Sequence, residues 1–284
     1  MHLYQQHQLG NPRWPVSSSL LPVYPLIVGG DDLFCLVPAR WALHQAFCCA
    51  HTFQQEMQNG MRTLGERLAG KTPTLTVAVV LCKASYPFSL AHRAAENLLR
   101  QAKTLSKQLK ASQPACSACA IDFQVLRGNV GDDDADAPTF RPGIGPYWTG
   151  PVPSQYGVSL ETLLNQRLAL NPIPSAQLQQ LRALFHDLPD RPTAEDISAW
   201  NQALARWLKR LQRPGGAGGS QTIVEQALVE LGAPLGTANL QYWRSCDRGS
   251  RGVFLGHGFP ELSEVWDFAH RLDRPAADYE RKDD

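Results

Sequence analysis

A short acidic turn between two apolar runs is the feature that most constrains this 284-residue chain. The motif GGDD occupies 29–32, after the apolar run 24–28 and before the apolar run 33–37. Two short apolar runs on either side of a glycine-containing turn predict an antiparallel β-hairpin. Glycine suits such a turn because it adopts positive φ without a steric penalty. We therefore expect a hairpin that carries two adjacent carboxylates at its tip.

The elements that follow the turn are predicted by their hydrophobic patterns. Apolar residues at spacings of three and four predict one helix over 39–69 and another from 89 to about 110. A continuous apolar run at 74–82 and an alternating run at 121–126 predict two strands. The resulting order is hairpin, helix, strand, helix, strand.

The composition changes after residue 128, where a stretch rich in proline, glycine and aspartate begins and no regular element is expected. Amphipathic patterns then predict short helices, with Thr193 and Asp196 placed as a capping box, and further helices near 221–231 and 261–272. The predicted parts are an irregular segment 1–22, a mixed α/β domain 23–128, a loop 129–158, a helical region 159–213, a flexible linker 214–220 and a small helical region 221–284.

Charge and cysteine content exclude several classes of protein. The 27 Lys and Arg residues against 26 Asp and Glu give a net charge of +1, which disfavours binding of nucleic acid by bulk charge. There is no run of eighteen apolar residues, so we expect no membrane-spanning helix. Seven cysteines without a visible secretory signal indicate reduced thiols and a cytoplasmic location. Cys116 and Cys119 form one CxxC without a second pair, so two ordinary loop thiols are favoured over a zinc or redox site.

Three other polar features are expected to be structural or solvent-exposed. An acidic run at 132–136 is more typical of a solvated loop than of a cation site. Basic residues near the end of the helix at 194–212 suit the helix dipole, and a solvated face is favoured over an RNA-binding patch. His257, between two glycines, is expected to be a plain loop residue.

The adjacent carboxylates of Asp31 and Asp32 repel each other unless they are protonated or neutralised by a cation. A divalent ion such as Mg²⁺ (or Mn²⁺) neutralises them and recruits the phosphates of a nucleotide at the same time. Gly29 and Gly30 allow a phosphate to approach the backbone because no Cβ intervenes. A plain solvated turn explains the same four residues, so the surrounding elements decide between the two interpretations.

Those elements occur in the order found in the palm domain of the nucleotidyl cyclase superfamily. The chain most resembles the second palm domain of the large polymerase-like subunit of type III CRISPR effector complexes, which carries GGDD at this hairpin. The resemblance covers about 22–128 and rests on YPLIVGGDDLFCLVP, TLTVAVVLCKASYPFSLAHRAAENLLRQAK and AIDFQVLRG. It implies an α+β fold: a partial ferredoxin-like palm, with an antiparallel sheet and helices on one face, followed by a helical C-terminal region.

The resemblance also implies a function in antiviral defence. In that family the subunit joins ATP molecules into cyclic oligoadenylates by two-metal nucleotidyl transfer when target RNA is bound. Carried over, Asp31 and Asp32 are the catalytic and metal-binding residues, with Mg²⁺ or Mn²⁺ as cofactor. Gly29, Gly30 and Lys103 are the implied nucleotide-binding residues. Without the GGDD motif, Lys103 is better explained as part of a solvated helix face. With the motif, a solvated face and a phosphate contact are equally favoured.

One departure from the family pattern bears on activity. The family palm has a central strand before GGDD that supplies a further metal-binding aspartate, whereas no Asp or Glu precedes Asp31 here. Relative to the family, the palm is expected to be N-terminally incomplete, and three explanations stay open: the C-terminal part of a larger or split protein that a partner completes with the missing strand, a degenerate non-catalytic palm that acts as a protein or RNA assembly module, and an inactive remnant. The expected partners are ATP, a protein that supplies the strand, and RNA within a complex. Whether this chain alone is an enzyme stays undecided at this level.

Overall fold

The computed structural model describes residues 23–64, 72–126, 145–153, 156–188, 193–211, 220–232, 244–247 and 253–271. These residues form an α+β structure, which confirms the predicted fold class. The N-terminal half contains β1 (Tyr24–Gly29), β2 (Asp32–Leu36), α1 (Ala39–Leu64), β3 (Thr76–Leu81), α2 (Phe88–Ser112), β4 (Ala120–Val125) and β5 (Tyr147–Trp148). Among the described helices, none has the length and hydropathy that crossing a membrane requires.

The first two strands form the predicted hairpin. They pair antiparallel from Tyr24 opposite Leu36 to Gly29 opposite Asp32, with an irregularity in the register near Pro25. Gly30 in the turn has a φ of 60°, a conformation that residues with a Cβ rarely adopt. The glycine therefore sets the turn geometry that places the two carboxylates at the tip.

The second sheet has the order β3-β4-β5 and is mixed. β3 and β4 pair parallel, from Thr76 opposite Ala120 to Leu81 opposite Val125. This is possible because α2 carries the chain back to the end of the sheet at which β3 begins. β5 then adds antiparallel to β4. The prediction of no regular element between 129 and 158 was therefore wrong at β5, a strand too short to show a periodic pattern. The acidic run at 132–136 lies outside the described residues.

Helices α1 and α2 pack on this sheet through the apolar stripes that their spacing predicted. Both helices contact β3 and β4, and α1 also contacts the first helix of the C-terminal region. Ala42, Leu43 and Phe47 of α1 belong to one buried cluster that continues into that region. The stripe of α2 is buried at Ala94, Leu98, Ala102, Leu105 and Leu109.

The C-terminal region is mainly helical, as predicted. It contains α3 (Leu160–Ala169), α4 (Ser175–His186), α5 (Ala194–Leu211), α6 (Ser220–Gly232), β6 (Arg244–Asp247), β7 (Val253–Gly256) and α7 (Gly258–Glu264). The capping box at the start of α5 is confirmed: Thr193 N–H and Oγ1–H donate to Asp196 Oδ2, and Asp196 N–H donates back to Thr193 Oγ1. The two bonds from Thr193 hold the pKa of Asp196 below its usual value.

Two predictions for the end of the chain were wrong. β6 and β7 form an antiparallel hairpin where no strands were expected, and the last described helix, α7, is displaced from the predicted 261–272. The sequence of β6, RSCD, shows no apolar alternation, so its strand conformation depends on pairing with β7 rather than on its own pattern.

A buried polar link joins the β3-β4-β5 sheet to the C-terminal region. The Tyr147 hydroxyl of β5 donates a hydrogen bond of 2.5 Å to Glu261 Oε2 of α7, and both residues are buried. The Gly145 N–H donates to the same oxygen at 3.3 Å. A Cβ at Gly145 would lie 2.9 Å from Asp122 Oδ1, so the close approach of these elements requires glycine. The link therefore ties two parts that are distant in sequence.

We expect Tyr147→Phe to lower the free energy of unfolding by about 1–3 kcal/mol, because a buried carboxylate loses a donor while the ring stays in place. Chemical denaturation followed by circular dichroism measures this. Tyr156→Phe is the matched control, since the Tyr156 hydroxyl lies in an exposed hydrogen bond with Ser112 Oγ and its loss should cost less than about 0.5 kcal/mol. Equal destabilisation by both variants would contradict a special role for the buried link.

Candidate functional site

The acidic tip of the β1–β2 hairpin is open to solvent. Asp31 and Asp32 are both exposed, one in the turn and one at the start of β2. A Cβ built at Gly29 or Gly30 meets no atom within 4 Å, so this face of the turn is open. The turn therefore offers carboxylate oxygens beside an accessible backbone, which is what a phosphate-bearing ligand needs for close approach.

Phe34 attaches this hairpin to α2. Its ring makes edge contacts with Phe88 and His92, at centroid distances of 5.6 and 5.3 Å. Burial raises the pKa of the thiol of Cys35, the next residue in β2, and the nearby Cys49 of α1 raises it further. The hairpin thus lies on the same two helices that cover the β3-β4-β5 sheet.

The rest of the hairpin exposes a large apolar surface. Val28 is 76 % exposed, and large fractions of five other apolar side chains also face solvent: Tyr24, Leu26, Ile27, Leu33 and Leu36. Within the described residues, β2 pairs only with β1 and β3 pairs only with β4. Each sheet therefore has an unpaired edge, and apolar side chains on such an edge favour association with another strand.

The donor set at the tip fits one mode of Mg²⁺ binding. Mg²⁺ keeps several waters and is commonly held by one or two carboxylates together with substrate phosphates. Asp31 and Asp32 supply two carboxylates and an open face, which satisfies this mode. A cage made by protein ligands alone is not formed, since no cluster of three or more His, Cys, Asp or Glu suited to a metal occurs in the part of the chain that the structure describes.

Lys103 is exposed on α2, as its spacing predicts. It lies about 16 Å beyond His92 along the helix, at 1.5 Å per residue. No ion pair joins it to Asp31 or Asp32 among the described residues. The structure therefore places Lys103 on the helix that supports the hairpin but does not bring it into contact with the acidic tip.

The CxxC cysteines differ in their surroundings. Cys119 is buried, its Sγ accepts a hydrogen bond from the Leu75 N–H at 3.2 Å, and burial raises the pKa of its thiol. A raised pKa keeps the sulfur protonated and unreactive near neutral pH. Cys119 therefore serves packing of β3 against the segment before β4, whereas Cys116 is only partly buried.

His257 was expected to be a plain loop residue, and this was wrong. Its side chain is fully buried: Nδ1 accepts a hydrogen bond from the Phe259 N–H at 2.9 Å, and Nε2 lies 3.0 Å from the Leu228 carbonyl oxygen. The ring thus caps α7 and joins it to α6. The position between two glycines concealed this role because the contact with Leu228 depends on tertiary packing.

The family model for the second palm domain of Cas10/Cmr2 matches residues 13–110. This segment of the chain is therefore similar to the second palm domain of Cas10-type proteins. The matched span contains the hairpin, α1, β3 and almost all of α2, and it stops before β4 and the C-terminal region. No curated protein and no solved structure matches the chain.

The Cas10 match carries coarse functional information. It supports a polymerase-like subunit of type III CRISPR antiviral systems, in which Cas10/Cmr2 works with other subunits in one complex. Palm domains of this kind generally use divalent metals. The match confirms the resemblance to this palm domain as far as residue 110 and does not cover the last part of the predicted span, 22–128.

We expect Phe34→Ala to loosen the hairpin without unfolding the domain. Aromatic edge contacts contribute about 0.5–1.5 kcal/mol beyond area burial, so backbone amides of β1 and β2 should exchange with deuterium about two- to tenfold faster. Hydrogen–deuterium exchange measured by mass spectrometry tests this. The control is Leu33→Ala, which truncates a neighbouring exposed side chain. Faster exchange across α1 and β4 as well would show that Phe34 supports the whole domain rather than the hairpin.

Proposed function

We propose that the hairpin tip of this Cas10-type palm binds ATP together with Mg²⁺ or Mn²⁺, and that the domain serves synthesis of cyclic oligonucleotides in a type III CRISPR-like defence system. The observation that carries the proposal is an exposed Asp31-Asp32 pair at a glycine turn within a segment matched to this palm family. Two adjacent carboxylates that face solvent have no structural role in the described contacts that explains their placement.

Each residue of the tip has a role in this proposal. Asp31 and Asp32 hold the divalent ion and through it orient the triphosphate, while Gly29 and Gly30 let the phosphates approach the backbone. The metal supplies charge neutralisation, which nucleotidyl transfer mainly requires along with positioning. Lys103 serves as a phosphate contact only if the triphosphate extends along α2, because the lysine is distant from the hairpin anchor at His92.

A protein partner completes the palm in this proposal by adding a strand between β2 and β3. Both strands have an unpaired edge in the described part of the chain, and both sheets lie on α1 and α2. Ile27 and Val28 add exposed apolar surface beside one of these edges. A strand inserted there would pair with both sheets and cover apolar side chains, which is the physical basis of strand addition between proteins.

The second candidate function is a non-catalytic assembly module that binds a protein or RNA. The observation in its favour is that Asp31 and Asp32 stand apart from any third acidic ligand in the described residues. In this case the apolar hairpin serves only to dock the palm on its partner.

ATP binding should depend on Mg²⁺ and on the acidic tip. We expect isothermal titration to show ATP binding that EDTA weakens, and Asp31→Asn combined with Asp32→Asn should remove the Mg²⁺-dependent part, a loss of at least about tenfold in affinity. Asp187→Asn, an exposed acid at the end of α4, is the control and should bind like the unmodified protein. ATP affinity unchanged by the double substitution, with the other effector subunits present, would contradict the proposed nucleotide site.

Partner binding should depend on the apolar hairpin. When the chain is co-expressed with the other subunits of its effector complex, Ile27→Asp combined with Val28→Asp should abolish co-purification, because two charges would be buried against the added strand. The control is Val229→Asp, a comparable change at an exposed apolar residue of α6. Equal recovery of all variants would contradict this docking surface. Loss of co-purification, together with nucleotide turnover by the complex that Asp31→Asn leaves unchanged, would favour the assembly module.

A further inference from the structure

A groove between α4 and α5, outside the segment matched to the palm family, has the features of a second binding site. Its volume is about 420 Å³, within the range of ligand-binding clefts. The side chains around it are Gln180, Ala183 and Leu184 of α4, and Ala203, Arg206, Trp207 and Arg210 of α5.

The helical repeat explains why these residues meet. Positions 206 and 207 follow 203 by three and four residues, and 210 follows them by four and three, so the four positions lie on one face of α5. The two helices are held together nearby by an edge contact between Phe185 and Trp200, with ring centroids 5.1 Å apart, and by a hydrogen bond from Trp200 Nε1–H to the Leu184 carbonyl. These contacts fix the spacing of the helices beside the groove.

The two charged residues that line the groove are both arginines. Arg206 and Arg210 are exposed one helical turn apart, where like charges repel each other. The residues that line the groove include no acid. Among the described residues neither arginine forms an ion pair; Arg206 donates only to the Gln202 carbonyl of its own helix. An anionic ligand would therefore relieve repulsion between two guanidinium groups and form charge-assisted hydrogen bonds.

The floor of the groove favours a peptide over a nucleic acid. Ala183, Leu184 and Ala203 offer a shallow apolar surface that can receive an aliphatic side chain. Trp207 provides the only aromatic ring of the lining and is 3 % exposed, so no open ring face is available for stacking of a base. Its indole N–H is also buried and has no acceptor in the described part of the chain, so only a side-chain shift that opens the floor would present this donor to a ligand oxygen.

We propose that the groove between α4 and α5 binds an acidic peptide segment of a protein partner. An aliphatic residue of the segment contacts the apolar floor, and neighbouring carboxylates accept hydrogen bonds from Arg206 and Arg210. Recognition of acidic motifs by pairs of arginines follows from the match between a guanidinium and a carboxylate. This site is independent of the nucleotide proposal, because it uses none of the palm residues.

The test uses the full chain and a fluorescein-labelled eight-residue peptide of glutamate and aspartate with two central leucines, followed by fluorescence anisotropy. Arg206→Gln combined with Arg210→Gln should weaken binding at least about tenfold. The charge-matched control, Arg100→Gln combined with Lys107→Gln on α2, should change the affinity less than about twofold. Ala203→Phe fills the groove without changing charge and should also abolish binding.

Three further outcomes decide the proposal. Trp207→Phe, which keeps a ring but removes the donor, should weaken peptide binding while thermal unfolding shows that the fold persists. A peptide with serines in place of the leucines that binds equally well would overturn the proposed site in favour of general charge attraction. Binding of a single-stranded oligoadenylate RNA that needs both arginines, with no peptide binding, would overturn it in favour of nucleic acid. Asp31→Asn with Asp32→Asn should leave peptide affinity unchanged, so this test and the ATP test can fail separately.

Discussion

The position of the acidic turn depends on one aromatic contact, that of Phe34 with Phe88 and His92 at the start of α2. In the described residues, no strand of the hairpin pairs through backbone hydrogen bonds with a strand of the β3-β4-β5 sheet, so backbone pairing does not hold the two sheets together. They are aligned instead by the helices beneath them, because α2 packs on β3 and β4 as well as on Phe34. Side-chain packing therefore positions the two carboxylates. How precisely they are positioned depends on what else packs on the hairpin.

That dependence gives the exposed apolar surface a physical meaning. A two-stranded hairpin is marginally stable by itself in water, and three or more strands or packing on a helix are needed to hold it. Here the helix contact is made by one face of β2, while Val28 and its neighbours stay in solvent. Strand addition at the unpaired edge would bury this surface and fix the turn at the same time. Completion of the fold and completion of the site are therefore the same event in our proposal.

The sequence predicted those parts of the structure in which the pattern is local. The strands of the hairpin, β3, β4, α1 and α2 are long enough for their apolar patterns to be recognised: alternation in strands, and spacings of three and four in helices. The GGDD motif marks the turn directly. β5 and β6 were missed because their conformation is set by partners distant in sequence. His257 was misread for the same reason, since its acceptor on Leu228 belongs to another helix. At the candidate site, the position of Asp31 and Asp32 at a hairpin tip was predictable, but the exposure of the apolar strands around them was not.

The groove on α4 and α5 and the acidic turn lie in one continuously packed structure. α4 contacts α7, α7 carries Glu261, and Glu261 accepts a hydrogen bond from Tyr147 of the β3-β4-β5 sheet. A route of contacts does not by itself transmit a signal, because coupling requires an element with two arrangements whose balance each ligand shifts. The buried core that joins these helices is held by specific contacts: Arg167 donates to the Trp266 carbonyl and to Asn171, and its guanidinium stacks on the Trp266 ring. The hairpin is less constrained, because its described anchor on α2 is the Phe34 ring and its edge is unpaired. If one partner carries both the acidic segment and the added strand, and the link between them spans the two sites, docking at the groove favours strand addition by proximity rather than by a conformational switch.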